Sequence, residues 1–153
     1  MAIRLERAKK LRLLFEYEDG SKLEVSFDPK DQAFIQKMAK VYKLFGVVAK
    51  EFDEALKEMD IENVDTEANT DIIDIAPYEA MLTVLDSGVG KTKQGYNIID
   101  EVFGAGTADF FSGGALNPEY VLPLLEAVSN EMKAYSDEQK KAAGPHLNPV
   151  VQQ

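Results

Sequence analysis

Four places in the chain carry residue types able to do chemistry. Gly88-Val89-Gly90-Lys91-Thr92 has the glycine, lysine and threonine of a phosphate-binding loop, in which backbone N–H groups cradle phosphate and the lysine reaches its outer oxygens. The motif needs a further glycine at the position held here by Leu85, with a buried strand before the loop and a helix after it. Met81, Leu82 and Leu85 have helical spacing, Gly95 interrupts the segment after the lysine, and no apolar strand ends in an aspartate for magnesium. No ATP or GTP binding is expected. Asp65, Glu67, Asn69 and Asp71 alternate like the first half of a calcium loop, but Thr70 stands where its glycine belongs and Ala76 where its bidentate glutamate belongs. A solvated acidic linker is the simpler reading. The one histidine, His146, lies between Pro145 and Leu147, and there is no cysteine, so neither a charge-relay triad nor a two-histidine or thiolate metal site can be assembled. The adjacent carboxylates Asp100 and Glu101 are explained by favourable charge in the first turn of a helix. The expectation is a protein without catalytic residues, metal or cofactor.

Composition narrows the partner. Seventeen Lys and Arg against 27 Asp and Glu leave a net charge of −10, which repels a phosphate backbone and disfavours nucleic acid. Residues 1–12 are basic (Arg4, Arg7, Lys9, Lys10, Arg12), whereas residues 58–90 hold nine acids and no base. The acidic stretch reads as a solvated surface, or as one that meets a basic partner or the basic N-terminus. No apolar run has the length of a membrane span or a secretory leader, and the lack of cysteine fits a reducing compartment. A chain of 153 residues suffices for one core, so one mainly α (α+β) domain is expected over 1–143, with a flexible tail over 144–153.

Alternating Leu11, Leu13, Phe15 and then Leu23, Val25, Phe27 predict a β-hairpin over 11–27. A two-residue Asp19-Gly20 turn would pair Phe15 with Glu24 and split the apolar residues between faces. A three-residue Glu18-Asp19-Gly20 loop with a left-handed Gly20 pairs Phe15 with Leu23, Leu13 with Val25 and Leu11 with Phe27, giving one apolar face. That face needs a cover. The long amphipathic helix expected over 29–59 offers one, with Asp28 as cap, Pro29 in the first turn and a stripe of Phe34, Met38, Val41, Phe45, Val48, Phe52, Leu56 and Met59. Its first half is basic and its second acidic, against the preference of the helix dipole. An acidic linker follows over 60–70, then a helix over 77–87, a GVGKTKQG loop, a short helix over 98–103 capped by Asn97, a shorter one over 108–112 capped by Thr107, and a last amphipathic helix opened by Asn117-Pro118 with Val121, Leu124, Leu125, Val128, Met132 and Tyr135 on one face.

Within this order, Ile98 to Phe111 (IIDEVFGAGTADFF) resembles the late segment of tail assembly chaperones of long-tailed, siphovirus-type bacteriophages. The hairpin, the long helix ending in FDEALKEMD, the acidic linker and the final helix are similar too, so the resemblance covers most of residues 12–135; the GVGKTKQGY segment departs from it. It implies a chaperone in the cytoplasm of an infected bacterium, absent from the mature virion, that keeps the tape-measure protein soluble until tail tube subunits polymerise around it. Such proteins are often made in two lengths by ribosomal frameshifting, and this chain would correspond to the shorter. The tail tube protein and a second copy of the chain are further partners it allows, and neither nucleic acid nor membrane is among them. The residues matching the family segment, Ile99, Val102, Phe103, Gly104, Gly106, Thr107, Phe110 and Phe111, are the candidate partner-binding set. Their plain alternative is core packing and helix capping. The alternative function is a small acidic adaptor or inhibitor, of antitoxin or nucleic-acid-mimic type, that also works by binding protein.

Overall fold

A computed structural model describes residues 1–7, 9–59 and 75–151; the acidic linker and the calcium-like run Asp65–Asp71 lie outside these residues. The chain order is β1 (Leu11–Glu16), β2 (Lys22–Phe27), α1 (Gln32–Met59), α2 (Ala76–Phe103), α3 (Thr107–Ser112), a 3-10 turn (Pro118–Val121) and α4 (Leu122–Val151).

The strands pair antiparallel in the register that gives one apolar face, Leu11 opposite Phe27, Leu13 opposite Val25 and Phe15 opposite Leu23. Gly20, at φ 93°, closes the loop: its N–H donates to Tyr17 O (2.9 Å), and Tyr17 N–H donates to Ser21 O (2.9 Å). Hydrogen bonds from the Ser21 hydroxyl and from the Ser21 N–H (2.8 Å) to the Asp19 carboxylate hold its pKa below the ordinary value. Phe27 stacks on Phe34 in the first turn of α1 with ring centroids 4.9 Å apart. The hairpin also reaches the end of α2, where the Phe103 ring meets Phe27 edge-on at 6.4 Å, and α3, where Phe111 meets Phe15 edge-on at 5.0 Å. Its cover is thus shared among three helices.

Helix α1 starts three residues later than the sequence predicts. Asp28 Oδ1 accepts the Lys30 N–H in a turn, and Asp31 Oδ1 accepts the Ala33 N–H as the true cap. The larger difference lies in α2. The expected helix over 77–87, the GVGKTKQG loop and the helix from Asn97 are one 28-residue helix, so Asn97 is helix interior. Each interior glycine costs a helix about 1 kcal/mol relative to alanine, which is why the run reads as a loop. Here α2 lies along α1, and Gly95 lets the helices close up, because the Phe45 ring lies against its backbone; at Gly88, which faces Val48 Cγ1, a Cβ would make only ordinary contact. Lys37 of α1 pairs with Glu101 of α2 at 2.7 Å, and Glu51 of α1 with Lys91 of α2 at 3.1 Å. Cross-helix pairing therefore accounts for part of the inverted charge order of α1.

The core is built from Val25 and Phe27 of the sheet, Phe34, Met38, Val41 and Phe45 of α1, Tyr96 and Ile99 of α2, Ala108 of α3, and Val121, Leu124, Leu125 and Val128 at the start of the last helical stretch. Asn117 caps that stretch as predicted, its Oδ1 accepting the Glu119 N–H at 3.0 Å. The Tyr96 hydroxyl ties the incoming loop to α2, donating its proton to Ala115 O (2.8 Å) or Asn117 O (2.9 Å) and accepting the Asn117 N–H (3.2 Å). Tyr42 fastens α4 to α1 through Leu125 O (2.8 Å) and Ser129 Oγ (2.6 Å). The α4 backbone stays helical past Gly144 and Pro145 to Val151, where the sequence predicts a frayed tail.

Candidate partner-binding groove

The candidate residues of the FGAGT segment gather at one corner, where α2 ends and α3 begins. Ile99 is 0% exposed and Thr107 1%, so neither presents a surface to a partner. Val102 and Phe103 pack against the core, Phe103 edge-on to Phe34 at 5.9 Å. Gly104 ends α2 at φ 119° and Gly106 precedes α3 at φ 88°. Thr107 is the first residue of α3 rather than its cap: its Oγ1 donates to Gly104 O at 2.7 Å. The cap is supplied from a distance by Asp100, whose Oδ1 accepts the Ala108 N–H at 2.9 Å. Asp100 stands in the last turns of α2, not in the first turn of a helix. Phe110 lies beside Tyr17 with centroids 4.9 Å apart, and the Tyr17 hydroxyl donates to Phe110 O at 2.7 Å. The segment thus joins α2, α3 and the hairpin. All eight residues contribute to that corner; Gly104 and Gly106 are exposed, and the rings of Phe110 and Phe111 are half-covered.

The GKT segment offers no phosphate cradle. It lies inside α2, where backbone N–H groups are spent on the helix; Lys91 is paired with Glu51, and Thr92 is 1% exposed. No group of three or more acidic or histidine side chains with metal-site geometry occurs among the described residues.

Open apolar surface occurs instead at the other end of the α1–α2 pair. The α1 stripe is buried from Phe34 to Phe45, but Phe52 and Leu56 are each 41% exposed, and Leu85 and Val89 of α2 remain exposed beside them. These side chains, with Val48, Val84, Gly88, Thr92 and residues Leu116–Glu119, line a groove of about 580 Å³. A second groove, of about 470 Å³, lies between α1 (Tyr42, Phe45, Gly46, Ala49) and the start of α4 (Leu122, Leu125, Glu126, Ser129). Ala49, Pro118 and Glu119 belong to both, so the two follow one side of α1.

No protein family, curated protein or solved structure matches the chain. The likeness to tail assembly chaperones therefore rests on the FGAGT segment and the elements around it. Among the described residues, no helix is long and apolar enough to cross a membrane.

In the sequence, Phe52, Leu56 and Leu85 fall in packing stripes and Val89 in an apparent loop. A periodic stripe says which side of a helix is apolar, and nothing about how far a neighbour extends to cover it. The available signal was length: the stripe of α1 runs on for several turns beyond what one hairpin and a few short helices can cover.

Proposed function

We propose that the chain is a non-enzymatic tail assembly chaperone of a long-tailed bacteriophage, acting in the host cytoplasm by holding the tape-measure protein through apolar surface. The observation that carries the binding role is the open groove around Phe52, Leu56, Leu85 and Val89. Contiguous exposed apolar surface bounded by polar residues is costly in a monomer and characteristic of interaction sites. The tape-measure assignment is supported by the resemblance around FGAGT; because that segment has a packing role in this fold, the contact is assigned here to the groove.

A long helical protein exposes apolar stripes before tube subunits enclose it, so its holder need only bind. Co-expression with the tape-measure protein of the same phage is expected to move that protein from the insoluble to the soluble fraction, with co-purification. Leu85→Ser together with Phe52→Ser should remove this effect while the melting transition persists. Unchanged partner solubility, with no co-purification at low salt, would overturn the assignment and favour the acidic adaptor alternative.

A further inference from the structure

We infer that the groove along α1 takes a basic amphipathic helix: an apolar stripe seated against Phe52, Leu56, Leu85 and Val89, with lysines and arginines on its flanks. The inference rests on the protein-binding reading and adds the chemistry of the bound segment. Shape is the first argument. The two adjoining grooves run beside α1 from Tyr42 to Leu56, roughly 21 Å at about 1.5 Å per residue, or about four helical turns. An extended strand would need an open sheet edge to satisfy its backbone, and this wall is made of helices. A helix satisfies its own backbone and brings only side chains.

Charge is the second argument, and it is independent of the first. Residues 51–90 contain twelve acids and a single base, Lys57, for a net charge of −11; all other residues together net +1. The whole charge of the chain therefore lies in one contiguous stretch, made of the last turns of α1, the first half of α2 and the segment joining them. Of the twelve acids, Glu51, Asp53, Glu54, Glu58, Glu79 and Asp86 stand on those two helical parts, which form the walls of the larger groove. Asp53 and Glu119 line it, Glu119 and Glu126 line the second, and no lysine or arginine lines either. The Lys57 ammonium is 3.1 Å from Asp53 and that of Lys91, just past this stretch, 3.1 Å from Glu51, so these two bases offset one carboxylate each. An acidic or neutral helix would meet like charge or none, whereas a basic one is steered in and retained.

The test uses two synthetic 18-residue amphipathic helices with the same leucine stripe, one with lysine on the flanks and one with glutamate, each carrying a fluorophore. Anisotropy titrations of the full chain in 50 mM salt should show the lysine peptide binding at least tenfold more tightly than the glutamate peptide. The difference should shrink several-fold at 300 mM salt, where charges are screened over a few ångströms. Leu85→Gln should weaken the lysine peptide at least fivefold. Asp53→Asn combined with Glu119→Gln should weaken it at low salt and little at high salt, with circular dichroism unchanged in both variants. Equal affinity for the two peptides, or binding indifferent to Leu85→Gln, overturns the inference. So does concentration-dependent dimerisation lost in Leu85→Gln, which gives the groove to a second copy, or tighter binding of a peptide copying residues 1–12, which gives it to the chain's own basic N-terminus. If the lysine peptide binds as expected and the tape-measure co-expression fails, the phage assignment falls and the groove chemistry stands.

Discussion

At Gly95 the usual ranking of glycine and alanine in a helix reverses. A Cβ there would stand 2.6 Å from Cζ of Phe45, and that ring is 5% exposed and held within the core. Overpacking a core costs about 1–3 kcal/mol, more than the roughly 1 kcal/mol that alanine's helix propensity returns. Gly95→Ala is therefore expected to lower the denaturation midpoint. At Gly90, in the same helix, a Cβ would meet nothing within 4 Å beyond its chain neighbours and the local helix backbone, so Gly90→Ala should stabilise by up to about 1 kcal/mol. If both substitutions shift stability in the same direction, the close approach of α1 and α2 at Phe45 is wrong. Tyr96 provides a second residue-level check. Burial raises its phenol above the ordinary value of 10.0, against the lowering effect of its hydrogen bonds to Asn117 and Ser112. A raised folded pKa means that the native state keeps the proton longer than the unfolded chain does. This contribution to stability is present below about pH 10 and is lost as pH climbs from there through the folded value. Tyr96→Phe should lower stability near pH 7 by about 1 kcal/mol through the lost loop anchor and flatten the decline above pH 10. An alkaline decline as steep in the variant as in the parent would assign it to other groups.

Among the elements, the hairpin was fully legible and α2 was not, and the reason is physical. Strand residues alternate with period two, so a register error by one residue would put every apolar side chain of one strand on the wrong face; only a three-residue loop keeps Leu11, Leu13, Phe15, Leu23, Val25 and Phe27 together. Helix continuity has no such discrete test. Gly88, Gly90 and Gly95 lower the local propensity of α2, and the stabilising partner, α1, is remote in sequence. The start of α1 failed more mildly, because Asp28 and Asp31 are both good caps and only the turn between them decides which one serves. The hairpin's weight in the fold can be measured at its buried and open faces. Phe27, 4% exposed and packed on Phe34 and Phe103, should cost about 3–5 kcal/mol when replaced by alanine. Leu14→Ser, on the opposite face at 63% exposure, should stay within about 0.5 kcal/mol. Chemical denaturation of both variants checks this; a Phe27→Ala loss below about 1 kcal/mol would mean that the hairpin is not integral to the core.

For the whole molecule, the acidic character of the proposed groove was legible in the sequence, and the segments that form the groove were not. Charge counts along the sequence exposed the acidic stretch, and the absence of catalytic residue sets pointed to binding; but Ile99, Val102, Phe103 and Thr107 proved to be packing residues, because a motif's residues do not reveal whether they face inward. The groove needed three separate segments, α1, α2 and residues 116–119, to be brought together. This arrangement sets stability against binding at the end of α1. Carboxylates near a helix C-terminus oppose its dipole, and Glu58, one of the twelve acids of residues 51–90, is exposed in the last turn of α1, one turn after Glu54. Glu58→Lys replaces an unfavourable charge with a favourable one worth about 0.3–1 kcal/mol, sets the new ammonium four residues after Glu54 in the preferred orientation, and relieves repulsion across the acidic end. The variant is expected to melt about 1–4 °C higher than the parent. The same change removes two units of negative charge from the end that attracts a basic helix, so association of the lysine-flanked peptide at 50 mM salt should slow a few-fold, with little change at 300 mM. Stopped-flow anisotropy and a thermal melt on one preparation measure both quantities. Opposite signs would show that the acids of this region are kept for recognition at the expense of stability; a variant that is both more stable and an equal binder would leave the acidic end without that role.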